Sequence, residues 1–286
     1  MAQPVPKGPL AARFHGWFLG EPRAGAPTRA TVEVENLGTV AWRPETVLAS
    51  YHWLDERGNP IVWDGVRSEL PGPVAPGQRA RLALDVRGPL PPGRYRFAID
   101  LVAEHRAWFE ELGSTPAGGE VTVLPRIERR LAVVGADPGA LDAQEEPPVA
   151  LADAEAVAHL APGVVPAPDW TRRLLDAHQE GYAVVGGSVA LDAGRLRARR
   201  ARAALAPWKP GGGRVPGFPH PLLCPSLVRG VEPPWIDPVE GLPALRAPED
   251  EPWLYDGRIG VRVPSRRVLR RPGAMGGARQ GRRERS

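Results

Sequence analysis

The sequence predicts two folded units of different class: an antiparallel β-sandwich over residues 8–124, then a reduced α/β domain over residues 126–272, followed by a basic tail at 273–286. Three observations carry this. The first part is a chain of short strands separated by Gly/Pro turns. The second has the order strand, turn, amphipathic helix, strand. The end, RRVLRRPGAMGGARQGRRERS, is Arg- and Gly-rich and reads as disordered.

The sandwich strands follow in order. TVEVENLG alternates Val32 and Val34 inward with Thr31, Glu33 and Glu35 outward, then turns at 36–38. VLASYHWLDERGNPIVW is a hairpin around a polar turn at 55–58. VAPGQRARLALDV sets a Pro-Gly turn before a strand with Leu82, Leu84 and Val86 on one face. PPGRYRFAIDLV repeats the device with Tyr95, Phe97, Ile99 and Leu101 inward, and Tyr95 is placed like a tyrosine corner. HRAWFEELG and GEVTVL supply the last strands. Five of the nine tryptophans fall here: Trp17, Trp42, Trp53, Trp63 and Trp108. Trp42 and Trp53 are expected to anchor the core. Trp63 lies near a turn. Trp108 and Phe109 are adjacent, so in a strand their rings face opposite ways and one of them faces outward. Trp63, Trp108 and Phe109 are therefore the candidate glycan-binding residues.

In the second part LPRIERR is a charged joint and LAVVGADPGA a first strand. Residues 150–158 are expected to form a short helix before a strand at 157–160. A Pro-rich turn follows, Asp169 is the expected N-cap, and WTRRLLDAHQEG reads as a helix ending at Gly181 with Trp170, Leu174 and Leu175 buried. YAVVGGSVAL is a buried strand in which Gly186 and Gly187 admit another backbone or a ligand.

Composition narrows the classes. The chain has 286 residues, 42% hydrophobic and 24% charged, so it is globular. A single cysteine, Cys224, excludes an intrachain disulfide. No apolar leader core or bilayer-length apolar run is present, so the expectation is a cytoplasmic protein without a transmembrane segment. The net charge of +4 is concentrated in the tail, which reads as a solubilising segment or as a peripheral contact with anionic lipid at the inner membrane, or with polyanionic glycan. No basic stripe interleaved with aromatics points to nucleic acid. Ser226 in CPSL lacks a nucleophile elbow, and Cys224 with His220 is too small a set for zinc. No cofactor and no metal ligand is expected.

Two resemblances add to this. NLGTVAW, SYHWLDERGNPIVWDGVRSELPGPVAPGQ and PPGRYRFAIDLVAEHRAWFEELG resemble an immunoglobulin-like domain of bacterial polysaccharide systems. It is similar to the C-terminal domain of O-antigen ABC-transporter ATPase subunits and, more weakly, to the four-tryptophan domain of autophagy cargo receptors. In the transporter family this domain recognises the glycan chain. VAHLAPGVVPAPDW, the helix after it and VVGG resemble the middle of a family-2 type glycosyltransferase of the GT-A fold, and PEDEPWLYDGRIGVRVPSRRVLRR resembles that family's later segment. The resemblance implies that Glu249 and Asp250 stand where the family keeps its catalytic base. The family places metal-binding aspartates in the turn that here holds Ala161 and Gly163, neither of which offers a side-chain ligand. The stretch from Leu131 to that turn has room for one strand and one short helix rather than a nucleotide pocket.

The expected function is a glycan-associated protein of cell-surface polysaccharide biosynthesis, partnered by a polysaccharide intermediate or by other assembly enzymes. Its glycosyltransferase-like domain has lost donor and metal binding, making it a pseudoenzyme. Two alternatives stand beside it. One is an active divergent glycosyltransferase with Glu249 or Asp250 as base, its nucleotide-sugar held with a divalent metal or by arginines between 195 and 202. The other is a protein–protein interaction scaffold.

Overall fold

A computed structural model describes residues 8–192 and 199–264. The tail at 273–286, and the arginines at 195 and 197, lie outside the described residues.

The first unit is an immunoglobulin-like β-sandwich. Its strands are β1 (Ala12–Leu19), β2 (Pro27–Asn36), β3 (Val47–Leu54), β4 (Pro60–Val62), β5 (Ser68–Glu69), β6 (Arg79–Arg87), β7 (Gly93–Ala103), β8 (Ala107–Trp108) and β9 (Ala117–Val123). One sheet has the order β1-β2-β6; the other runs β4-β3-β7-β8, with β5 on β3 and β9 on β7. Every pairing is antiparallel. The alternating pattern places Val32, Val34, Leu82, Leu84 and Val86 of the first sheet against Tyr51, Trp53, Phe97, Ile99 and Leu101 of the second.

Trp42 and Trp53 are buried as the sequence predicts, Trp53 donating its indole N–H to the Arg87 carbonyl at 3.0 Å. The Tyr95 hydroxyl donates to the Pro91 carbonyl at 2.6 Å, giving the corner its hydrogen bond. In the 55–58 turn Asp55 Oδ1 accepts from the Arg57 and Asn59 N–H groups, both at 2.8 Å, which fixes the hairpin. Asn36 closes the other turn, donating to the Val40 and Val74 carbonyls at 2.9 and 2.8 Å.

The second unit comprises β10 (Leu131–Val134), β11 (Ala156–His159), β12 (Val165–Pro166), α1 (Trp170–Glu180), β13 (Val184–Asp192), α2 (Arg199–Leu205), β14 (Arg214–Val215), β15 (Leu222–Leu223), β16 (Ser226–Val228), β17 (Trp235–Val239), β18 (Leu242–Leu245) and β19 (Trp253–Pro264). A mixed sheet runs β10-β11-β16-β13-β19-β12, with β14 on β19, and a small sheet runs β15-β18-β17. The pairs β10/β11 and β13/β19 are parallel, and β16 is antiparallel to both its neighbours. The expected strand, turn, helix and glycine-bearing strand are therefore present as β11, the Pro turn, α1 and β13.

This unit departs from the expected α/β balance. It is chiefly sheet, with α1 the one helix of more than two turns among the described residues. In place of the helix expected over 150–158 there is a single 3-10 turn at Leu151–Asp153, and β11 has begun by Ala156. Asp169 does not cap α1. Its carboxylate pairs instead with Arg172 and Arg173 one turn on, and the side-chain bond at the helix N-terminus comes from Gln144, whose Oε1 accepts from the Thr171 N–H at 3.0 Å. Gly186 and Gly187 admit neighbouring protein. A Cβ at Gly187 would lie 1.9 Å from the Ile259 carbonyl, and one at Gly186 2.8 Å from Leu222 Cβ. No helix among the described residues is long and apolar enough to cross a membrane.

The units meet at Arg126, whose side chain is 5% exposed. Its guanidinium donates to the carbonyls of Gly25 (2.6 Å) and Gly181 (3.1 Å) and to Glu251 (2.9 Å). Arg87 reaches the same Gly25 carbonyl at 2.7 Å and Glu251 at 3.0 Å. The approach is close enough that a Cβ at Gly25 would sit 2.2 Å from the Gly181 oxygen, and Gly25 holds φ at +64°. Arg126→Met takes the guanidinium from the Gly181 carbonyl and leaves Arg87 as the one cation on Glu251, and is expected to cost about 2 kcal/mol in chemical denaturation. Adding Glu251→Gln should restore part of that loss, and additive costs in the double variant would show that the pair is not coupled.

Candidate functional site

The second sheet of the sandwich buries polar residues on the wrong side. In a strand, alternate residues face away from the core, and on β3 and β7 those include Ser50, His52 and Asp100. All three are 0–1% exposed. They are covered by the chain between β4 and β5, which folds back across the sheet, and by the 107–111 turn. The return needs Gly65, where a Cβ would lie 2.6 Å from the Tyr51 carbonyl.

Each buried group is anchored. Ser50 donates its hydroxyl to the Gly65 carbonyl at 3.0 Å. His52 donates from Nδ1 to the Trp63 carbonyl, which leaves Nε2 as the unprotonated nitrogen, and that buried atom has no hydrogen-bond partner. Burial pushes the His52 imidazole below its ordinary range. Asp100 accepts from the Leu101 N–H at 2.8 Å and the Glu110 N–H at 3.0 Å, yet burial drives its carboxyl up to about 7, with Glu110 and Glu111 adding to the rise. His52, Asp100 and Glu110 each bring one ligand-type atom within 4.8 Å of the others.

Above this pocket lies an aromatic surface. The Trp63 ring stacks on His52 at 4.2 Å and is 42% exposed; Trp108 meets His52 edge-on at 4.4 Å. The Arg67 guanidinium lies 4.9 Å from the Trp108 ring centre and is held by Asp64 and by Glu104 at 2.6 Å. Of the three candidate glycan residues, the structure brings Trp63 and Trp108 together and separates Phe109. Phe109 is fully buried, edge-on to Trp42 at 5.5 Å, so it cannot meet a glycan. The alternation predicted from adjacency holds, with Trp108 as the outward ring.

The second unit presents no comparable surface at the predicted positions. At the end of β11, Leu160, Ala161 and Val164 are buried, and the Gly163 N–H donates to Asp137 Oδ2 at 2.7 Å, closing the turn on itself. Glu249 and Asp250 are exposed in a bend. The inward carboxylate of that segment is the next residue, Glu251, which serves the joint rather than a cleft. Ser226 is paired with His178: its hydroxyl lies 2.8 Å from His178 Nε2, while Nδ1 donates to the Tyr182 carbonyl at 2.8 Å. Both residues are 0% exposed, so this serine–histidine pair is structural. Cys224 is buried. An open cavity of about 640 Å³ beside the joint is lined by Arg23, Arg126, Arg130 and Arg229, each already bonded to a carboxylate or carbonyl.

Sequence reasoning missed His52, Arg67, Asp100 and Glu110. One signal was available: Asp100 interrupts the apolar run FAIDLVA, and a carboxylate in a strand buried on both faces marks a special site.

Neither a protein-family profile nor a curated protein sequence matches the chain. Among solved structures, the C-terminal domain of wzt is 11% identical, with 43% of this chain and 77% of that one covered at a TM-score of 0.29. The CARDB domain of the PF1109 protein from Pyrococcus furiosus is 14% identical, covering 43% of this chain and 93% of that one at 0.26. A Niemann-Pick type C2 protein from the Japanese carpenter ant is 8% identical, covering 43% and 95% at 0.27. The fold assignment rests on the strand order described above.

The buried His178 makes stability depend on pH. Burial holds its imidazole at about 4, below the unfolded value of roughly 6.5, so the unfolded chain takes up the proton first. Its contribution is complete above pH ~6.5 and is lost as pH falls towards about 4, amounting to about 3 kcal/mol. Urea denaturation across that range should show this slope in the native sequence and not in His178→Gln; parallel profiles for the two would refute the assignment.

Proposed function

We propose that this protein is a glycan-associated component of cell-surface polysaccharide production, with the sandwich holding a sugar chain on the Trp63, Trp108 and Arg67 surface. The observation that carries this reading is the Trp63 ring, 42% exposed yet fixed by stacking on a buried histidine. An exposed ring held rigid, with Asp64 and Arg67 beside it, offers what a pyranose needs: a flat apolar face and hydrogen-bonding groups at its edge. On this reading the second unit is a glycosyltransferase-like remnant. Neither Ala161 nor Gly163 offers a carboxylate to hold a metal against a leaving diphosphate, the Asp137 carboxylate at that turn accepts the Gly163 N–H, and Glu249 and Asp250 lie exposed in a bend. The protein acts in the cytoplasm beside the membrane that exports the polysaccharide, with the basic tail as its contact to anionic lipid.

A protein partner is the second reading, and one observation favours it: Phe18 on the edge strand β1 is 64% exposed.

The two separate on an array of bacterial surface oligosaccharides. The native chain should bind one glycan class, and Trp63→Ala should weaken that binding about tenfold, the worth of one stacked ring. Phe18→Ser should leave it unchanged. Binding that survives Trp63→Ala, or that is lost in Phe18→Ser, overturns the glycan surface.

A further inference from the structure

We propose that His52 Nε2 and the carboxylates of Asp100 and Glu110 form a binding site for one divalent transition-metal ion, of the zinc type. The inference is independent of the glycan reading. One ring nitrogen of His52 and one carboxylate oxygen from each of Asp100 and Glu110 lie within 4.8 Å of one another, and no direct hydrogen bond joins the three side chains. They are thus gathered around a shared point without satisfying each other.

The histidine is the decisive member. His52 is 1% exposed, and its Nε2 is buried without a partner. An unpaired polar atom in a core is costly, and it calls for a group that supplies what the lone pair lacks. The Nδ1 hydrogen bond to the Trp63 carbonyl fixes the tautomer that turns the Nε2 lone pair into the pocket, the arrangement by which a backbone carbonyl orients a metal-binding imidazole. The rings of Trp63 and Trp108 pack against the same imidazole at 4.2 and 4.4 Å and hold its plane.

The carboxylates complete the set. Asp100 is fully buried, and each of its oxygens accepts a single backbone N–H, leaving a lone pair on each for a cation. Asp100 has no arginine or lysine bonded to it, so a divalent ion is the group that would supply a countercharge to its ionised form. Glu110 is exposed and donates its own backbone N–H to Asp100, so the third ligand stands on the solvent side of the cluster. One imidazole nitrogen with two carboxylates suits zinc, cobalt or nickel better than calcium or magnesium, which favour all-oxygen cages.

The test is calorimetric titration of the chelator-treated full chain with zinc chloride, alongside titration with cobalt(II) to read the visible ligand-field bands. The native chain should take up about one equivalent. Glu110→Gln, at an exposed position that does not threaten the fold, should weaken uptake at least about tenfold and alter the cobalt spectrum. Glu111→Gln, the neighbouring exposed carboxylate outside the set, should match the native chain. No zinc uptake by the native chain, uptake unchanged in Glu110→Gln, or equal weakening by Glu111→Gln overturns the site. Full displacement of cobalt by excess calcium overturns its transition-metal character.

Discussion

The two units of this protein depend on one cation taken out of water. Arg126 is bonded to a carbonyl from each unit and to Glu251, with Arg87 supporting it at the Gly25 carbonyl and Glu251 but not at the Gly181 carbonyl. A guanidinium suits the place because its donors leave in fixed directions from one plane, so it sets the geometry of what it joins as well as neutralising a carboxylate. The glycines on either side are its counterpart. Gly25 and Gly181 bring two backbones within contact distance, where any side chain would hold them apart.

The sandwich was legible because its information is local. Alternation, Pro-Gly turns and the position of Tyr95 each constrain a few neighbouring residues, and the strands follow. The second unit was legible only as an element order. Its sheet interleaves β16 between β11 and β13 and adds β12 and β14 around β19, pairings between segments far apart in sequence that no periodicity announces. Asp169 shows the same limit on a smaller scale. The residue type fits a cap, but two arginines one turn along the helix compete for its carboxylate and hold it.

The candidate site was half legible. Trp63 and Trp108 stood out by type. His52 did not, because on a strand the outer parity predicts solvent, and it and Asp100 are buried because the chain between β4 and β5 and the 107–111 turn lie over them. Burial by a returning loop is a tertiary event. It turns an ordinary polar face into a shielded chamber with an aromatic roof, and it changes the chemistry of the residues inside without altering their sequence neighbourhood.

The position of β19 has a consequence for how the molecule is made. The sandwich has all its strands once residue 123 has been synthesised. The sheet of the second unit lacks the strand that flanks β13 along its whole length until residues 253–264 arrive, and Glu251, the partner of Arg126, comes just before them. During synthesis the first unit is therefore finished and waiting while the second remains an open sheet with an unpaired central edge. β19 covers that edge, and Glu251, the counter-ion of the joint, is synthesised just ahead of it, so sheet closure and the final ion pair of the joint draw on the same short stretch of chain.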